Sequence, residues 1–152
     1  MKFTIATITL AASSAFAAPA EIKRSTNFEV TDFWATVSSV TSGAYMHFVL
    51  TDPNYLNDTP TDCNLIWTYG SSPKLNARCN NGEYYIRFPQ GPPDFNLFTL
   101  ELERVNGTIP EDRQILLSSN ANGGAPGTKW ICKNNPSEDI SIRCDYEGTL
   151  GF

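Results

Sequence analysis

His47 is the only imidazole in this chain of 152 residues, so acid–base chemistry near neutral pH would have to pass through it. A histidine paired with a glutamate can cleave RNA, and small secreted ribonucleases share this size and cysteine count. Such a site also needs cations gathered around the phosphate, whereas Arg78, Arg87, Arg104, Arg113 and Arg143 are spread along the chain. Ser-His-Asp or Cys-His catalysis needs a base beside the nucleophile, and no Gly-x-Ser-x-Gly elbow occurs. His47 lies between Met46 and Phe48 in a strand-like run, pointing away from the face of Met46, Phe48 and Leu50. A structural or surface role is expected for it. Glu101 and Glu103 share one strand face about 7 Å apart, which overlaps the carboxylate separation of inverting glycosidases. Catalysis would require a cleft that raises one of their pKa values, so a solvated face is expected, as for Arg143, Asp145 and Glu147.

The four cysteines carry a different chemistry. With no close Cys-x2-Cys pair and a single histidine, no metal site and no cofactor are expected. In an antiparallel hairpin, facing residues have a constant mean position at the turn. Cys63 and Cys79 centre on Ser71, inside Gly70-Ser71-Ser72-Pro73; Cys132 and Cys144 centre on Glu138, in the Asn134–Asp139 turn cluster. The spacing therefore predicts Cys63–Cys79 and Cys132–Cys144 disulfides, each clamping one hairpin and each stabilising the fold by roughly 3 kcal/mol.

Strands must hold these groups. Ile140, Ile142, Cys144 and Tyr146 alternate with Ser141, Arg143, Asp145 and Glu147, and Phe98, Leu100 and Leu102 alternate with Thr99, Glu101 and Glu103. Further strands are predicted over 28–37, 45–51, 62–67, 84–88, 113–117 and 129–132. Turn formers separate them at 52–54, 90–93, 105–108 and 120–127, the last an expected exposed loop. With no long helical period, the fold class is all-β: an antiparallel β-sandwich or small β-barrel stapled by two local disulfides.

The N-terminus reads as an address. Met1-Lys2, a short apolar stretch and Ala15-Phe16-Ala17 form a signal peptide over residues 1–17, with cleavage expected after Ala17. Lys23-Arg24 is a dibasic pair that could end a pro-segment over 18–24, leaving a single all-β domain over 25–152. The leader is too short to span a bilayer, so an exported, unanchored, extracellular protein is expected, in a compartment that permits disulfides. Asn57-Asp58-Thr59 and Asn106-Gly107-Thr108 are N-glycosylation sequons; Pro60 makes Asn106 the better candidate. With 16 acidic against 11 basic residues and a net charge of -5, neither nucleic acid nor an anionic membrane is an expected partner. The aromatic candidates for recognition are Trp34, Trp67, Trp130, Tyr45, Tyr69, Tyr84 and Tyr85. Trp67 and Trp130, near hairpin cysteines, are expected to pack in the core. Tyr69, beside a turn, and Tyr85, off the face of Tyr84, Ile86 and Phe88, are the better contact residues.

The leader, the opening Phe28-Glu-Val-Thr-Asp-Phe33 strand, the two local cysteine pairs and the strand-rich body together resemble the secreted fungal proteins like the major Alternaria allergen. The resemblance implies a barrel or sandwich with consecutive disulfides, export by a filamentous fungus, and action as allergen, elicitor or effector without established catalysis. It also implies partners such as a plant thaumatin-like defence protein or a small phenolic ligand. That allergen carries an additional cysteine that joins two subunits, and none is present here, so a covalent dimer is not expected. The leading expectation is non-enzymatic binding outside the cell. A ribonuclease-like or glycan-acting enzyme and a structural, wall-associated protein are the alternatives.

Overall fold

The computed structural model describes residues 27–119, 125 and 127–152. The expected leader, its cleavage position at Ala17, the Lys23-Arg24 pair and most of the 120–127 loop lie outside the described residues. Among the described residues nine strands follow in order: β1 (Glu29–Ser38), β2 (Gly43–Thr51), β3 (Thr61–Thr68), β4 (Tyr84–Arg87), β5 (Leu97–Arg104), β6 (Asp112–Ser118), β7 (Trp130–Ser137), β8 (Ile140–Tyr146) and β9 (Leu150–Gly151). Among the described residues there is no helix.

All pairings are antiparallel. One sheet runs β3-β2-β1-β8-β7, with β9 also on β1; the other runs β4-β5-β6. The two sheets do not join into a closed barrel, so of the two expected architectures the chain adopts the sandwich. The cause is visible in the period-two pattern, which supplies each sheet with one apolar face and leaves both free to bury it against the other. Phe33, Met46, Phe48, Leu65 and Trp130 from the large sheet meet Tyr84, Ile86, Phe98, Leu100 and Leu117 from the small one, all buried. Trp130 sits at the centre, 4.7 Å from Phe33 and 5.7 Å from Phe98, and its indole N–H donates to the Phe95 carbonyl at 2.7 Å. Trp67 and Trp130 are core residues, as their position beside the cysteines suggested.

Both disulfides form as spaced, Cys63–Cys79 and Cys132–Cys144. Cys132 faces Cys144 directly in the β7–β8 hairpin. Cys63–Cys79 corrects the hairpin-clamp reading. Cys79 lies outside the nine strands, in a segment whose backbone follows β4: the Cys79 N–H donates to Tyr84 at 2.9 Å and the Ile86 N–H to Ala77 at 2.9 Å. Cys63 belongs to β3, the edge of the large sheet. The bond therefore ties one sheet to the other.

A second tie is polar. Asp52, fully buried at the end of β2, accepts from the Tyr84 hydroxyl at 2.8 Å, and Tyr84 accepts from Arg104 at 2.7 Å. Arg104 continues to Asp58 at 2.6 Å and lies 3.4 Å from the Tyr55 ring centroid. Burial and the neighbouring Asp52 hold the Tyr84 hydroxyl well above the ordinary tyrosine range, so it stays protonated and keeps donating.

Gly127 shows how closely the 127–129 turn seats on β6. Its φ is +79°, and a Cβ there would collide with the Leu116 carbonyl oxygen. Gly127→Ala is expected to lower stability by about 1–3 kcal/mol, read as an earlier urea midpoint at unchanged slope.

Candidate functional site

β1 contains a switch of phase that places the most distinctive surface residues. Phe28 and Val30 are buried at even positions, Phe33, Ala35 and Val37 at odd ones. The change requires one extra residue, and the register of β1 with β2 breaks between Thr31 and Trp34. Asp32 is there, with a left-handed φ of 49° that aspartate tolerates better than most residues. On the opposite edge of β1 the neighbours also part. β8 pairs as far as Trp34–Asp145, and β9 resumes at Val30–Leu150. The connection between them, with Gly148 at φ 88°, leaves a depression of about 450 Å³ bordered by Asp32, Trp34, Arg143, Asp145 and Thr149.

The bulge turns Trp34 outward on the central strand, where it is half-buried. Along its row, Asn64 on β3, His47 on β2, Trp34 on β1 and Asp145 on β8 face one another. His47 Nδ1 donates to Asn64 Oδ1 at 2.8 Å, and its ring lies 5.6 Å from that of Trp34. Arg143 lies 4.7 Å from the Trp34 ring centroid while its Nε donates to both Asp145 oxygens, at 2.9 and 3.0 Å. This ion pair fixes the guanidinium over the indole. Tyr45, 38% exposed, and its cross-strand partner Ile66, 73% exposed, extend the same face.

The other proposed chemical residues are dispersed. His47 is on the outward face, as its phase required, and the group its ring nitrogen meets is the Asn64 amide, not a carboxylate. Glu101 and Glu103 do share an outer face, on the small sheet, where both are ion-paired to Arg87, Glu101 at 3.5 Å. Tyr85 is on that outer face too, with Arg78 and Arg87 at 4.4 and 4.6 Å from its ring centroid. Tyr69 is half-buried and packs 5.3 Å from Phe95; burial raises its pKa. Tyr69 and Tyr85 are thus not brought to one surface.

Both sequon asparagines, Asn57 and Asn106, are exposed, but Thr59 of the first is buried at 6% and hydrogen-bonded to Asp52. Among the described residues no cluster of three or more His, Cys, Asp or Glu side chains is placed to hold a metal. Nor is any helix of the described residues long and apolar enough to cross a membrane. Trp34 stood among the aromatic candidates in the sequence, and the parity switch between Val30 and Phe33 was the signal that would have singled it out.

Fold and site define a disulfide-stapled β-sandwich with a polar, aromatic-centred depression on its larger sheet. In comparisons with known proteins, no family model matches the chain, and no curated protein or solved structure matches it. Function is therefore read from the side chains themselves.

Proposed function

We propose that the protein works outside the cell as a non-enzymatic binding protein of the effector, elicitor or allergen kind, and that the outer face of the six-stranded sheet around Trp34 is its recognition surface. The observation that carries this reading is the half-buried indole on the central strand, bracketed by His47 and by the Arg143–Asp145 pair at the edge of a depression. A held aromatic group ringed by polar side chains is the composition of binding hot spots. Two disulfides, typical of proteins from oxidising compartments, and the leader support export. The partner expected from the family resemblance is a plant thaumatin-like defence protein or a small phenolic compound.

Calorimetric titration against purified thaumatin-like protein checks this. Trp34→Ala is expected to weaken binding at least about tenfold, roughly 1.4 kcal/mol, with circular dichroism unchanged. Equal affinity of the variant would remove the face from consideration. RNA incubated with the protein is expected to stay intact; turnover that disappears in His47→Ala would replace the binding reading with an enzymatic one.

A further inference from the structure

We infer that the depression beside Trp34 is a subsite for a neutral pyranose ring of an extracellular glycan. The inference rests on the proposed recognition role of this face and names the ligand class. Trp34, with Arg143 over its ring, is the outward aromatic group at the rim; of the other two rings that line the depression, Phe33 is turned into the core at 2% exposure and Tyr146 packs against the core. Around it stand two carboxylates, Asp32 and Asp145, one guanidinium, Arg143, and the Thr149 hydroxyl. Asp145 is already held by Arg143, which leaves the Asp32 carboxylate, able only to accept, and the Thr149 hydroxyl; a sugar hydroxyl both donates and accepts, so a polyol can satisfy these two without a charge of its own. Asp32 is exposed, and no described residue donates to its carboxylate. The bulge and left-handed backbone that hold it at the rim are local strain of the sort that accumulates at binding sites.

The same inventory selects against other ligands. Two carboxylates beside one guanidinium, on a chain of net charge -5, leave the rim negative, which disfavours uronates and phosphates. A flat phenolic ring gains most from apolar enclosure, whereas this depression is open and its rim is polar.

The test uses the full-length protein as exported, with amide NMR shifts of residues 31–34 and 143–149 as readout. Cellotetraose or chitotetraose is expected to give saturable shifts there, and tetragalacturonate to bind about tenfold more weakly. Trp34→Ala should weaken the neutral sugar at least about tenfold. Asp32→Asn, which retains a residue suited to left-handed backbone, should narrow the gap between neutral and acidic sugars. If neither neutral sugar moves these resonances while a flavonol or thaumatin-like protein does, the pyranose assignment is wrong and the recognition face stands. If none of them does, both are wrong. Shifts confined to the small sheet would also overturn the assignment.

Discussion

Raising the pH from about 4 to about 8 is expected to remove about 3 kcal/mol of stability through Glu111 alone, and Glu111→Gln is expected to abolish that loss. Glu111 precedes β6 and is 4% exposed. One of its oxygens accepts from Asn54 at 2.6 Å, while the other is buried with no donor. Burial, then the hydrogen bond and charge of Asp52, push its pKa up from 4.5 to about 7, against the smaller opposing effects of Asn54 and Arg113. A proton on Glu111 supplies the donor that the pair with Asp52 lacks. Because the folded value lies above the unfolded one, the contribution is complete below 4.5 and disappears as the pH rises through about 7. Glutamine donates from its amide at every pH in that window. Urea midpoints of both proteins across the range check the prediction; parallel curves would show that Glu111 does not carry the effect. Mildly acidic solution would then be the medium in which the two sheets are best held together.

Replacing Cys63 and Cys79 together by serine is expected to cost about 3 kcal/mol, a large part of the 5–15 kcal/mol typical of a domain. The bond links β3 to the 77–79 segment that lies alongside β4, so its loss releases the unfolded chain and also frees one edge where the sheets meet. Amide exchange should therefore rise first in 77–79 and β3, with the β7–β8 hairpin protected for longer. Removing Cys132 and Cys144 should leave that sheet-to-sheet edge protected, because Cys144 faces a partner already paired through β7 and β8. Equal exchange in both variants would show that the two bonds do the same work.

Much of this architecture was legible from alternation. Where one face of a strand is buried and the other wet, period two marks the strand, and β5 and β8 were read that way nearly to their ends. The cysteine pairs were legible from their midpoints, even though only one of them spans a hairpin. The short β9 was not, because two residues carry no period. Tyr69 could not be separated from Tyr85 by neighbours in the chain, since what decides its burial is Phe95, distant in sequence.

The amino-acid order by itself determined the all-β class, the sulfur pairs and the inward face of most strands, because those depend on composition and on spacing along a single ribbon. The tertiary structure alone decided that Cys63–Cys79 crosses between sheets, that Asp52 and Glu111 meet, and that Trp34 stands at a gap between β8 and β9. Each of those depends on which strands become neighbours, and that choice is made by the joint burial of two apolar faces rather than by any local stretch of chain.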